Sequence, residues 1–282
     1  MKKRDAKPAR ARARVSVRLL LGLWACLCLF PLLWMFFTSF VTPEKITAGS
    51  LTLATSLSDF SLENYRALFE HSSMGRWFLN SIFVCSVITL IHLLFDSLAG
   101  YAFAKKEFSG RSLVFALIVA TMMIPGQVLM VPLFILLSRL GMVDTLTAVV
   151  LPALAGPFGI FMMRQHIKSI PNELLDAARI DGCSEGRIFF SIILPLSAPM
   201  LATLGIFVFV THWNAYLWPL IVLYSSKAYT LPVGLATLQG KHTVNYGLLM
   251  AGASLAALPM ILAFLCFSRA FVKGLTAGAV KG

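Results

Sequence analysis

Three groups of residues in this chain have the types and spacing for chemistry, and each supports a plain structural reading beside a functional one. His92 and Asp96 stand four residues apart in an otherwise uncharged run, so a helix puts them on one face. Such a pair suits a proton relay. The favoured reading is a structural pair, or an Asp96 carboxyl near a helix end that meets Lys105, Lys106 or another subunit. Trp213, Asn214, Tyr216 and Trp218 form an aromatic and amide patch. Aromatic rings stack on the CH faces of a sugar ring while an amide meets hydroxyls, and the same residue types also make ordinary interfacial belts. The third group lies between Ile170 and Pro199, where Glu173, Asp176, Arg179 and Asp181 are set among small and apolar residues.

Other chemistries have no residues to carry them. A phosphate loop of the form G-x-x-x-x-G-K followed by Ser or Thr is absent, so the chain has no such ATP-hydrolysing centre of its own. His71, His92, His166, His212 and His242 are scattered without HExxH spacing. Cys26, Cys28, Cys85, Cys183 and Cys266 are odd in number, lack CxxC spacing and lie mostly in apolar stretches, which reads as small buried hydrophobes. No metal or cofactor is expected.

The Ile170–Pro199 stretch predicts a short helix of about 172–181. Pro171 suits its first position, Glu173 complements the positive end of its dipole, and Gly182 can take the left-handed conformation that stops it. Leu174, Ala177, Ala178 and Asp181 recur at helical spacing, so one side offers a large apolar residue and two small ones, a form suited to a groove in another protein. Periodicity leaves a second arrangement equally open, an interfacial helix resting Leu174, Leu175 and Ile180 on lipid headgroups. Beyond Gly182 the run from Arg187 to Leu194 is apolar, and Pro195 and Pro199 mark its junction with the next span.

The elements that must position these residues are membrane spans. Of 282 residues 58% are hydrophobic and 13% charged, and the mean hydropathy is +0.82, too little polar residue to clothe a soluble globule. Stretches nearly free of charge predict an all-α membrane protein with six spans at about 19–41, 77–104, 112–138, 145–163, 199–223 and 246–268. Residues 1–18 form a basic segment, and 19–282 a single transmembrane domain. The first apolar run exceeds the 7 to 15 residues of a cleavable signal and reads as a retained anchor. Pro125, Gly126 and Pro132 in the third span, and Gly156, Pro157 and Gly159 in the fourth, predict kinks or close packing.

The formal charge of +12 follows from topology. With the N-terminus in the cytoplasm, 18 of the 24 Lys and Arg fall on that side, as the positive-inside rule requires, and the excess is available to anionic lipid instead of nucleic acid. The outer side then receives a segment of about 42–75 with the helix-like SLENYRALF, a turn near 141–146 and a loop of about 224–245, all too small for a substrate-binding domain. The 164–198 loop, about 35 residues long, exceeds what antiparallel helices need and is the place to seek function.

DAARIDGCSEGRIFFSIILPLSAP resembles the EAA loop of the membrane subunits of bacterial ABC importers: E-A-A, three residues, G, then a hydrophobic stretch ending in LP. Asp176, Ala177, Ala178, Gly182, Leu194 and Pro195 carry the match, with Asp181 before the glycine as in the carbohydrate branch and Asp176 where the family most often has Glu. HWNAYLWPLIVL (212–223), FVKGLTAGAVKG (271–282), NSIFVCSVIT and LAGYAFAKKEFSGR are similar to segments of the smaller, maltose-type permease. The resemblance implies a bacterial inner-membrane permease with both termini cytoplasmic, paired with a second permease, a cytoplasmic ABC ATPase dimer and an external solute-binding protein that brings a sugar. It implies that Glu173, Asp176, Ala177, Ala178, Arg179, Asp181, Gly182 and Pro195 serve ATPase coupling. Trp213, Asn214 and Tyr216 are candidates for the translocation path, and His92 with Asp96 for an intramembrane pair. The alternatives are an ABC permease for a non-sugar solute such as glycerol phosphate or a polyamine, and a stand-alone secondary transporter using Asp96.

Overall fold

The computed structural model describes residues 6–42, 45–46, 59–154, 156–238 and 245–277, with side chains described between 16 and 265. The side chains of the basic N-terminal segment up to Arg14, residues 47–58 of the outer segment, His242, the Cys266 side chain and the tail 278–282 lie outside the described residues. Within them the chain is helical, without strands, and Val41 and Phe60 form an isolated antiparallel bridge. It divides into two compact units, Met1–Ser72 with Thr237–Ala257, and Ser73–Ala236 with Leu258–Gly282.

In the first unit, α1 (Ala6–Ser39) is apolar all round beyond Arg18, and residues 16–33 are exposed on every side. A helix of this kind meets its solvent in hydrocarbon, where its internal ladder satisfies each peptide group. The chain then turns into α2 (Glu63–His71), the helix expected from SLENYRALF. Asn64 is buried and anchors it, donating from Nδ2 to the carbonyls of Ser39 (3.0 Å) and Val41 (2.7 Å), while the Tyr65 hydroxyl pairs with Ser39 Oγ at 2.8 Å.

The second unit is built on α3 (Met74–Lys105), an unbroken apolar helix. After it come α4 (Arg111–Thr121) and α5 (Gly126–Arg139), bent by 95° where Pro125 interrupts the ladder. Next are α6 (Leu146–Ala153) and α7 (Pro157–Lys168), a second bent pair, and the loop helix α8 (Asn172–Ile180). The apolar run after Gly182 is helical: α9 (Glu185–Ile188), a π segment at Phe189–Ile193, then α10 (Leu194–Leu196). Pro195 has no N–H for the Ser191 carbonyl, and just before it the ladder shifts, with Leu194 N donating five residues back to Phe189 O. The 185–196 stretch meets α11 (Ala198–Trp213) at 78°. Two short helices, α12 (Leu217–Val222) and α13 (Leu231–Thr237), precede α14 (Tyr246–Ala277), whose first part to Ala257 belongs to the first unit.

Among the described residues three helices are long and apolar enough to cross a membrane alone, and counting each of three bent pairs as one span brings the number up to six. The first two pairs fall on the expected runs 112–138 and 145–163, whereas the third, Glu185–Leu196 with Ala198–Trp213, begins inside the expected 164–198 loop. The run expected over 199–223 ends as a helix at Trp213 and restarts at Leu217. Pro219 explains the restart: it cannot donate to the Ala215 carbonyl, so it is accommodated in a first helical turn, where N–H groups have no partner anyway.

The core lies where α7 and α11 pack on α3, joined by Leu175 and Ala178 of α8 and by Phe189 and Ile193. At the opposite end of α3, Trp77 Nε1 donates to Ser226 O (2.8 Å), and Asn80 Nδ2 donates to the carbonyls of Lys227 (3.0 Å) and Tyr229 (2.9 Å). Asp144, at a φ of 64°, closes the turn between α5 and α6 onto the same segment, its Oδ1 accepting from Tyr224 N (2.8 Å) and Ser225 N (2.9 Å). Those two amides, Ser225 first, hold the Asp144 carboxyl below the usual carboxylate range.

Candidate functional site

The loop helix α8 forms where its local signals direct. Pro171 stands one residue outside it, in the cap position with extended ψ (138°), and not in the expected first helical position. Glu173 lies in the first turn. At the other end Asp181 caps the helix and Gly182 takes a φ of +77°; its N–H donates to Arg179 O (3.0 Å) and that of Cys183 to Ala178 O (2.9 Å). This is the Schellman closure, and its left-handed residue favours glycine because a Cβ is strained there.

The orientation of α8 corrects the expected docking side. Leu175 (1% exposed) and Ala178 (7%) face inward, against the chain's own core. The opposite ridge carries Glu173, Ala177 and Ile180, spaced i, i+4, i+7, with Ile180 86% exposed and Leu174 (47%) at its edge. Leu174, Ala177, Ala178 and Asp181 therefore do not act as one exposed side, and Ala178 is a packing residue of its own subunit. Leu174, Leu175 and Ile180 do not share a face either, so the helix cannot rest all three on headgroups.

Both ends of α8 are held by adjacent lysines at the end of α3. Lys105 Nζ donates to the Ile170 carbonyl (2.5 Å) and to Asn172 Oδ1 (2.7 Å) at the N-terminal end. Lys106 pairs with Glu185 Oε2, which also accepts from the Tyr101 hydroxyl (2.7 Å). Glu185 Oε1 accepts from Arg179 Nε (3.1 Å), and Arg179 Nη1 reaches back to Asp176 Oδ1 at 2.7 Å. Lys106, Tyr101 and Arg179 together hold the Glu185 carboxyl down to about 2, and Glu185 in turn raises the Arg179 guanidinium above its ordinary value. Asp176 is thus engaged within its own helix. Pro195 lies on α10, outside this network. Tyr101, Lys105, Lys106, Asn172 and Glu185 were not expected as site residues; the juxtaposed Lys105–Lys106 and the acid just past the glycine were the only sequence traces of the network.

His92 and Asp96 do pair. His92 Nδ1 lies 2.7 Å from Asp96 Oδ2, and Nε2 lies 2.8 Å from the carbonyl of Ala153, with both residues buried. A carbonyl only accepts, so Nε2 carries a proton, and the Nδ1–Oδ2 contact requires one more between its two atoms. The pair is therefore net neutral whichever atom holds that proton, which is how a carboxyl is tolerated at this depth. The Ala153 carbonyl would bond the N–H of residue 157 in a continuous helix, and Pro157 has none. His92 replaces the missing donor. Gly156 and Gly159 make room: a Cβ at Gly156 would lie 2.3 Å from His92 Cε1, and one at Gly159 1.7 Å from Asp96 Oδ2. Asp96 does not meet Lys105 or Lys106, which are bound elsewhere.

Of the candidate path residues, Trp213 is 3% exposed, edge-on to Phe78 and stacked on Phe209, so its ring is a core residue and not a free stacking surface. Asn214 and Tyr216 are exposed at the break between α11 and α12, and Asn214 Nδ2 donates to Val210 O (2.9 Å). Trp218 is tied down through Nε1 to Ala148 O (3.1 Å).

Residues 96–276 match the family described as the inner membrane component of binding-protein-dependent transport systems. The chain belongs to this family. It is 43% identical over 259 residues to the arabinooligosaccharides transport system permease protein AraQ of Halalkalibacterium halodurans, covering 92% of this chain and 93% of the relative. It is 39% identical over 261 residues to the lactose transport system permease protein LacG of Rhizobium radiobacter, covering 93% and 94%. The fold matches a chain of a bacterial ABC transporter involved in import of the acidic polysaccharide alginate, with a TM-score of 0.82 at 23% identity over 93% of this chain and 97% of that one. As a component of such a transport system the protein is a multi-pass membrane permease and not a catalytic subunit. The family match begins at Asp96 and takes in the whole α8 network, from Tyr101 through Glu185.

Proposed function

We propose that this chain is one permease subunit of an ATP-driven importer and supplies half of the translocation path for a sugar or oligosaccharide delivered by an external binding protein. The observation that carries this reading is the outward ridge of α8, with Ile180 86% exposed on a helix whose other face is already packed. An apolar ridge presented this way fits a groove in a partner protein. In the proposed cycle α8 docks in a cleft of a cytoplasmic ATPase subunit. Closure of the ATPase dimer on ATP draws the docked helices together and turns two permease subunits from inward-facing to outward-facing. The side on which 18 of 24 basic residues fall supports placing α8 and both termini in the cytoplasm. The arabinooligosaccharide and lactose roles named for the relatives support a carbohydrate cargo.

Asn214 and Tyr216 are the residues of this chain we assign to the path. A stand-alone secondary transporter would need Asp96 as its coupling acid, and Asp96 is engaged with a histidine whose other nitrogen holds a backbone carbonyl. The test is reconstitution with the second permease, the ATPase and a binding protein loaded with arabinooligosaccharide or lactose. Stimulated ATP hydrolysis and uptake are expected, and Ile180→Asp is expected to insert normally while losing co-purification of the ATPase. Normal co-purification and uptake by Ile180→Asp would overturn the docking of α8.

A further inference from the structure

We infer that Lys105 and Lys106 are positioning residues that pass a displacement of α8 into α3, making α3 the lever between the coupling loop and the outer 224–237 segment. The inference rests on the proposed docking of α8 and adds to it the route by which docking moves the membrane part.

Beside the packing of Leu175 and Ala178 in the core, three routes lead out of α8. Along the chain towards α7 the path runs through Ser169–Pro171, and α7 itself is separated from α6 by a break. Along the chain towards α9 it passes Gly182 at a φ of +77°, then a 78° bend before α11. Turns and bends of this kind absorb motion, because a few backbone torsions take up the change. The third route bypasses them. Lys105 holds the first turn of α8 through Ile170 O and Asn172 Oδ1, and Lys106 holds the last turn through Glu185 and Arg179. Lys105 is the last residue, and Lys106 the cap, of a single unbroken helix of 32 residues, roughly 48 Å long at 1.5 Å per residue.

Grips at both ends matter mechanically. One contact would let α8 pivot, whereas two turn the pair into one body, so a push on the outward ridge becomes a translation or tilt of α3. At its other end α3 holds the carbonyls of Ser226, Lys227 and Tyr229 through Trp77 and Asn80. The same helix therefore grips the coupling loop at one membrane face and the 224–237 segment at the other. A two-state lever of this kind is a physical route for coupling, and a double lysine variant supplies the coupling evidence it requires.

The experiment compares the Lys105→Met/Lys106→Met permease with the Lys105→Arg/Lys106→Arg permease in the reconstituted complex. Three quantities are read: co-purification of the ATPase, ATP hydrolysed per sugar imported, and the ATP-dependent spectral change of a fluorophore on a cysteine placed at Lys227. The Met pair is expected to retain the ATPase, to raise ATP per sugar about tenfold, and to abolish the change at position 227. The Arg pair, which keeps charge and donors, is expected to restore all three. A Met pair with the parental ratio and parental signal would overturn the lever while leaving α8 docking intact. So would loss of ATPase co-purification in the Met pair, because the lysines would then only shape α8 for docking. Failure of the docking proposal itself is read separately, from Ile180→Asp.

Discussion

His92 donates its Nε2 proton to the carbonyl of Ala153 at 2.8 Å, and that carbonyl is the one Pro157 leaves without a helical donor. A side chain on α3 thus completes a backbone ladder broken between α6 and α7. In hydrocarbon an orphaned peptide carbonyl is costly, so the break exists at this place because the histidine does.

His92→Ala should therefore cost about 1–3 kcal/mol of stability, the range for leaving buried polar groups unpaired. The measurement is the thermal midpoint of the purified permease in detergent. His92→Gln, which still offers an N–H, should lose less. Asp96→Asn can donate to Nδ1 from its amide, and its uptake relative to the parent is expected to stay constant between about pH 6 and 8. A ratio that changes with pH would show that the pair carries a transported proton.

The room around this pair is as exacting as its hydrogen bonds. Gly159→Ala would set a Cβ 1.7 Å from Asp96 Oδ2 and 2.6 Å from its Cγ, against a short buried side chain held by His92, and should abolish accumulation of folded permease. Adding Asp96→Ala removes the two nearest opposing atoms, Oδ2 and Cγ. The double variant is expected to recover a monodisperse peak in size-exclusion chromatography that the single variant lacks.

Ala177 and Ala178 are neighbours on opposite faces of α8, one exposed and one buried. Ala178→Trp overfills the chain's own core and should destabilise the isolated permease by about 1–3 kcal/mol. Ala177→Trp leaves that core untouched and should abolish ATPase co-purification with an unchanged thermal midpoint. Equal midpoints in the two variants would contradict the orientation of α8.

Glu185 defines a pH expectation. Its folded value, about 2, lies below the ordinary 4.5, so its contribution is complete above the ordinary value and is lost only as the pH falls through the folded one. Between pH 6 and 8 the carboxylate therefore stays charged. Glu185→Gln should lower uptake by one factor throughout that range. A defect that deepens towards pH 8 or towards pH 6 would mean another group titrates in the network.

Much of the fold was legible because hydropathy and charge report lipid exposure directly. The six apolar runs, the short helix at 172–180 and its glycine stop are local, one-dimensional signals. The breaks were legible only as proline and glycine positions; whether Pro125 bends its span by 95° or Pro157 merely starts a helix depends on what fills the gap, and His92 is 65 residues away from Pro157. Ala178 was placed outward because a nine-residue helix has apolar residues around more than half its circumference, and periodicity cannot choose between two apolar faces. Trp213 was assigned to the path by residue type, while its burial comes from Phe78 and Phe209, one of them on another helix. The links of Tyr101 and Lys106 to Glu185 were illegible because contacts at long sequence separation leave no spacing rule behind.

Exposed loops ordinarily accept insertions and deletions. The stretch from Ile170 to Glu185 should not, although most of its residues are open to solvent. Its two ends are reached by neighbouring side chains, so a single peptide bond in α3 sets the distance between its anchors. One residue added inside α8 would turn its far end by about 100° and move it about 1.5 Å, taking Arg179 and Glu185 away from Lys106 while Lys105 kept the near end. Its length is thus constrained as a core's volume is, and under the proposed docking a change of partner would be met by exchanging Glu173, Ala177 and Ile180, one residue for another.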